Sequence, residues 1–238
     1  MTITSHHNSK LKEIRKLRQR RRWRERAGRF VAEGEDLLQA ADAAGWDPVE
    51  RYCAAGSGLP GIEVEPELLA AASGLGSGTR TLAVYEERWA PVPTGPLCVY
   101  MHGLHDPGNV GALLRSAHAF GASCAALGPG TADPFSPKAV RASMGAVFDV
   151  ALAHANSVDE LPGTTIALAA GRGEPLSAAM KTVGPEITLL IGAEREGLPD
   201  EVIEAADVLA HIPIQTESLN AAMAATIALY EVSRMAPA

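Results

Sequence analysis

Two apolar rhythms divide this chain. Up to about residue 88, apolar positions come in short groups of mixed spacing. The first group lies in KLKEIRKLRQRRRWRERAGR, residues 10–29, where Leu11, Ile14, Leu17, Trp23 and Ala27, with Phe30 just beyond, fall near a helical period. That spacing predicts one amphipathic helix, roughly 30 Å long, with its basic side chains on the other faces. FVAEGEDLLQAADAAGW then reads as a strand ending at Gly34, followed by a helix on Leu37, Leu38, Ala41 and Ala44 that stops at Gly45. Short strands are predicted at residues 49–53, 62–64 and 81–85, with a small helix at Pro66–Ala72 whose first residue suits a helix N-terminus. WAPVPTGP, residues 89–96, carries three prolines, which remove backbone donors and favour extended chain.

From Leu97 the rhythm changes to continuous apolar runs separated by helical stretches. LCVYMHGL, CAALG, VFDVALA, TTIALAA, ITLLIGAE and VLAHIPI read as strands; NVGALLRSAHAF, SPKAVRASMG and SLNAAMAATIALYEVSR read as helices. Strands apolar along their whole length belong to a mostly parallel sheet covered on both faces, and such sheets bind ligands in the loops at their carboxyl ends. The expected organisation is α/β: a small α/β domain over residues 1–90, a linker at 91–96, and a parallel-sheet domain over 97–238.

Charge sharpens this picture. The net −7 of the 238 residues hides a segment, 10–29, that holds eleven of the 21 Lys and Arg against two Glu. That segment is +9 and the remainder −16. A basic block in an acidic protein points to an acidic partner, nucleic acid first, with a merely solubilising helix as the alternative. Lys10, Lys12, Arg15, Lys16, Arg18, Arg20, Arg21, Arg22 and Arg24 are the expected RNA contacts. Neither a signal core nor a membrane span is found, which predicts a cytoplasmic protein with no membrane partner. The three cysteines lack paired spacing and read as reduced and mostly buried; with the histidines equally unpatterned, no metal is expected. GSGLPG at residues 56–61 imitates a dinucleotide-binding turn, but Pro60 and the lack of a helix directly after Gly61 make it an ordinary turn.

Three segments carry the candidate chemistry. In HGLHDPGNVGALLRSAHAFGA a strand ends in a polar loop and a helix starts around Asn109, read as its N-cap, with Arg115 six residues on. In ITLLIGAEREGLP a strand ends in a turn where Gly192 permits close backbone approach and Glu194 can orient a donor. In HIPIQTESLNAAMAATIALYEV a strand and polar loop lead to a helix starting near Ser218, with Ser218 and Asn220 available for capping or ligand contacts.

In this order and spacing, DPGNVGALLRSA, IGAEREGLP and IPIQTESLNAAMAA resemble the three signature motifs of the SpoU (TrmH) family of RNA ribose 2′-O-methyltransferases. The likeness covers residues 97–234, and the basic opening resembles the substrate-binding domain that many members carry. The resemblance implies a SPOUT-type sheet with a deep trefoil knot holding S-adenosylmethionine, and a homodimer whose partner subunit contributes to the site. It implies Arg115 as the central catalytic residue, aided by Asn109, Glu194, Ser218 and Asn220, and a cofactor site at Gly192, Ile212 and Leu219 with Leu190, Ile191, Ala193 and Ile214 beside them. The alanines 221, 222, 224 and 225 are expected to allow close helix packing in that dimer. The expected substrate is 23S ribosomal RNA; a tRNA 2′-O-methyltransferase and a catalytically silent RNA-binding or ribosome-assembly factor are the alternatives.

Overall fold

The structure is a computed structural model that describes residues 2–74 and 78–234. It divides into two compact units: Met1–Glu87 with Asp133–Phe148, and Arg88–Ala132 with Asp149–Ala238.

The first unit is built on a four-stranded sheet. Its elements are α1 (Ser9–Gln19), α2 (Arg21–Ala27), β1 (Arg29–Glu33), α3 (Glu35–Ala43), β2 (Glu50–Ala54), β3 (Ile62–Val64), α4 (Pro66–Ala72) and β4 (Thr81–Glu86), with strand order β1-β4-β2-β3. Alternation along the strands sends side chains to two cores. Val31, Tyr52, Leu82 and Val84 join Leu11, Ile14 and Leu17 of α1 and Leu68 and Leu69 of α4. Phe30 and Tyr85 instead meet Trp46, together with Phe135 and Phe148 from the distant segment 133–148. Phe30 and Phe135 have ring centroids 4.7 Å apart, and the Trp46 indole N–H donates to the Phe148 carbonyl at 2.8 Å. VFDVALA is therefore no single strand: Phe148 belongs to this aromatic core, Val147 is buried in the short 3-10 turn Ala146–Phe148, and the strand begins only at Ala151.

The expected single basic helix is broken at Arg20, whose backbone is extended (φ −132°, ψ 113°). Continuous helix would stack Lys16, Arg20 and Arg24 at i, i+4 spacing, a repulsive arrangement. The break lets Arg24 turn inward: its side chain donates to the Leu17 carbonyl at 2.6 Å and pairs with Asp133 at 2.7 Å.

The second unit contains β5 (Leu97–Met101), α5 (Pro107–Ala119), β6 (Cys124–Leu127), β7 (Ala151–His154), β8 (Thr164–Leu168), β9 (Glu174–Pro175), α7 (Leu176–Ala179), β10 (Ile187–Ile191), α8 (Asp200–Ala205), β11 (Val208–His211) and α9 (Ala221–Ser233); α6 (Pro137–Ser143) lies in the segment that joins the first unit. Its seven strands run parallel in the order β7-β6-β5-β10-β8-β11-β9. β5, β6 and β10 are buried along their entire length, as apolar runs covered on both faces require. Cys98 and Cys124, distant in sequence, are register partners on β5 and β6, both buried and free; the thiol of Cys98 is pushed up by its hydrogen bond with Cys124 and by burial. Helices α5 and α9 pack together, tied by a 2.6 Å hydrogen bond between the Ser116 and Thr226 hydroxyls. No helix among the described residues is long and apolar enough to cross a membrane.

Candidate active site

The carboxyl ends of β5, β10, β8 and β11 release their loops on one side of the parallel sheet. The β10 exit is shaped by two glycines. The turn after Gly192 is closed by paired backbone hydrogen bonds between Ala193 and Gly197, at 2.9 and 3.2 Å. A Cβ on Gly192 would lie 2.3 Å from the Gly197 carbonyl carbon, so only glycine fits, and Gly197 itself sits at φ +70°.

Beside this turn lies a cavity of about 570 Å³, within the usual range for small-molecule sites. Its wall is apolar, with Ile191, Ile212 and Leu219 prominent, and its polar lining includes Glu194, Arg195, Glu217 and Ser218. Gly192, Ala193 and Ile214 also line it. Leu190, grouped with these by sequence, is instead fully buried in the sheet core, because its neighbour Ile191 takes the alternate direction along the strand. The last residue of β8, Leu168, and the loop after it, through Ala169, Ala170 and Arg172, form a wall the motif reading missed. The signal was present in TTIALAA, a strand that ends at the same edge in small residues.

Helix α5 begins three residues earlier than a cap at Asn109 would place it. Asp106 is the N-cap, accepting from the Gly108 N–H at 2.8 Å, and Pro107 occupies the first helical position. Asn109 therefore does not cap. Its side-chain amide is free to donate to Glu194, while its oxygen accepts from the Asn220 amide at 3.0 Å. Asn220 is the N-cap of α9, its oxygen accepting from the N–H groups of Ala222 (3.0 Å) and Met223 (3.2 Å). Glu194, Asn109 and Asn220, one from each motif, thus form a chain of hydrogen bonds whose Glu194 end lines the cavity; Asn109 and Asn220 are not among the described lining residues. Ser218 lies in the loop before α9, exposed, and does not cap.

Arg115 is exposed, without a hydrogen bond or ion pair among the described residues, and is not among the described residues lining the cavity. At the end of β5, the Tyr100 hydroxyl lies 3.1 Å from His102 Nδ1, and burial holds the His102 imidazole below its usual pKa against an opposing pull from Glu201. Among the described residues no group of three or more His, Cys, Asp or Glu is arranged to hold a metal ion.

The basic block resolves into two populations. Lys10 pairs with Glu50, Arg15 donates to the His6 carbonyl at 3.0 Å, and Arg18 is tied to Glu33 and to the Ala72 carbonyl at 2.6 Å. Arg24 is buried in the contacts described above, so a phosphate cannot reach it. Lys12, Lys16, Arg20, Arg21 and Arg22 remain exposed, joined by Arg26. Lys16 Nζ lies 4.4 Å from the Trp23 ring centroid, and Arg21 forms an exposed pair with Glu25.

The alanines of α9 also divide differently from expectation. Ala221, Ala222 and Ala225 face inward, while Met223, Ile227 and Tyr230 are exposed by 62%, 38% and 49%. The exposed apolar stripe is thus on the opposite face from the alanines.

Comparison with known proteins agrees with this geometry. The SpoU rRNA Methylase family matches residues 96–230, and the MRM3-like substrate binding domain matches residues 8–87. The chain is 34% identical over 252 residues to Ribosomal RNA small subunit methyltransferase G 2 of Syntrophobacter fumaroxidans, covering 98% of this chain and 49% of that protein, so it spans about half of that relative's length. It is 27% identical to the 23S rRNA (guanosine(2553)-2′-O)-methyltransferase RlmP of Bacillus subtilis, covering 97% of this chain and 98% of the relative. The AdoMet-bound rRNA methyltransferase from Sinorhizobium meliloti is similar in structure at a TM-score of 0.87 and 30% identity, over 100% of this chain and 99% of that one. The AdoMet complex of the SpoU methyltransferase AviRb from Streptomyces viridochromogenes follows at a TM-score of 0.83 and 26% identity, over 96% and 98% of the two chains. Motif residues that meet at one cavity, on a fold matched over its whole length, agree with the sequence match in placing this chain in the SpoU rRNA methylase family.

Proposed function

We propose that this protein transfers a methyl group from S-adenosylmethionine to a ribose 2′-hydroxyl of 23S ribosomal RNA in the cytoplasm. The observation that carries this reading is that Glu194, which lines the apolar cavity, is hydrogen-bonded to Asn109 and through it to Asn220. The B. subtilis relative's name supports the ribosomal substrate over tRNA. Residues 1–90 act as the substrate-binding domain, 91–96 as the linker and 97–238 as the catalytic domain except for 133–148, which pack in the first unit; the two family matches support this division. The strand order, with β10 entering between β5 and β8, supports a trefoil knot around the cavity.

The residues present fit the cofactor. Apolar walls from Ile191, Ile212 and Leu219 suit an adenine ring, and the Gly192 turn brings backbone polar groups to the cavity edge where a Cβ would clash. When bound, S-adenosylmethionine supplies an electrophilic methyl on a sulfonium. The protein must then hold the ribose oxygen in line and help it lose a proton. Arg115 carries a guanidinium, which is a poor general base. Its role is to clamp the substrate phosphate through two parallel donors and to stabilise the developing alkoxide, with the proton leaving through phosphate or water. Glu194, Asn109, Ser218 and Asn220 orient the ribose.

Arg115 is not among the described residues lining the cavity of its own chain, which supports a homodimer in which one copy's Arg115 completes the other's site. Met223, Ile227 and Tyr230 of α9, packed beside α5, offer the apolar surface for that contact. Mapping 2′-O-methylated nucleotides in ribosomal RNA with and without the gene tests the reading. One missing methylation, restored by the purified protein and S-adenosylmethionine, is expected; an unchanged map overturns it.

A further inference from the structure

The cavity holds more charge than an adenosine needs. Glu194 is committed to Asn109, and Arg172 to Asp200 at 3.1 Å. Arg195, at the tip of the turn closed by Ala193 and Gly197, lines the same cavity, is exposed, and has no hydrogen bond or ion pair among the described residues. Its neighbour Glu196 and Glu217 of the opposite loop line the cavity too. One uncommitted cation with acidic groups beside it, bordering an apolar wall, is the complement of an amino-acid zwitterion attached to an aromatic base.

We propose that Arg195 binds the carboxylate of the methionine part of the cofactor and so selects S-adenosylmethionine over adenosine thioethers and sulfonium compounds lacking that group. This rests on the cofactor reading given above. The chemistry favours arginine here: its planar fork matches a carboxylate with two parallel hydrogen bonds, which an ammonium on a flexible stem cannot reproduce. The acidic neighbours then face the ammonium and sulfonium of the same ligand, opposing a second anion in the site. The short turn fixes the backbone of residue 195, so less freedom is lost on binding than for a cation on a long loop.

Titration calorimetry of the full-length protein with S-adenosylmethionine and with decarboxylated S-adenosylmethionine tests this without any turnover. The wild type is expected to bind the carboxylated ligand at least tenfold more tightly. Arg195→Ala and Arg195→Gln should each weaken it about tenfold and leave the decarboxylated ligand within twofold, so that the preference disappears. Arg195→Lys should restore part of it, and Lys181→Ala, at an exposed cation of the same unit that is not among the residues lining the cavity, should retain it. Equal losses for both ligands, or no loss for either, overturns the assignment while leaving the cofactor site standing. A wild-type protein that binds neither ligand overturns the cofactor reading itself, and the assignment with it. Thermal unfolding of each variant confirms that the turn, exposed and outside the core, still forms.

Discussion

The Asn220 side chain donates to Asn109 Oδ1 at 3.0 Å across 111 residues of sequence, and its own oxygen caps α9. One residue therefore serves both the helix and the site. Asn220→Ala should lose about 0.5–2 kcal/mol of stability through the missing cap and should also slow methyl transfer. Asn220→Asp keeps a capping oxygen but has no donor for Asn109, so it should recover stability without recovering rate. Denaturant unfolding and single-turnover assays on the same preparations separate the two; parallel recovery of both would contradict the dual role.

Arg115→Ala should abolish methyl transfer while cofactor affinity, measured by calorimetry, stays within a few fold. Arg115→Lys should remain well below wild type, because a point charge does not reproduce the guanidinium fork. Wild-type turnover in the alanine variant would remove Arg115 from the mechanism.

The two populations of basic residues should separate cleanly. Deleting residues 1–28 would take Leu11, Ile14 and Leu17 out of the core, so point substitutions are the better probe. Replacing Lys12, Arg20 and Arg22 with Gln should reduce the slope of log affinity against log salt by about 0.7 per lost phosphate contact on single-stranded RNA, with unfolding unchanged. Arg24→Ala should act oppositely: it leaves Asp133 uncompensated, at a cost of about 3–5 kcal/mol, yet leaves the salt slope alone. An unchanged slope in the triple variant would return the basic surface to a solubilising role.

Burial holds the His102 pKa below its ordinary 6.5, so the native protein resists a proton that the unfolded chain accepts. Stability should therefore fall as pH drops through 6.5, and level off once the native imidazole also protonates. His102→Gln should flatten that part of the profile in denaturant titrations at successive pH values. A wild-type stability that rises on acidification over this range would refute the sign.

The parallel sheet was legible because β5 is an unbroken apolar run and β10 is interrupted only by Thr188, both buried along their whole length, and burial on both faces leaves few other patterns. Pro66 marked the start of α4 correctly, since a proline at the first helical turn loses no hydrogen bond. The failures have one physical origin, which is that distant partners decide local roles. Asn109 was a plausible cap until Asp106 and Pro107 took that task, and its real partners lie 85 and 111 positions away. Arg24 looked like its neighbours, yet Asp133 draws it inward. Val147 and Phe148 continued an apolar run toward β7, but Trp46 and Phe30 claim Phe148. Spacing along the chain carries none of this information.

Because residues 133–148 complete the aromatic core of the first unit, the polypeptide passes between the units three times instead of once. A gene fragment ending at Glu87 would encode Phe30, Trp46 and Tyr85 without Phe135 and Phe148, and Arg24 without its counter-ion. The N-terminal half is thus not a transferable cassette. Recombination that exchanges it, in nature or in a designed chimera, must carry the internal segment along or rebuild the surface it leaves bare.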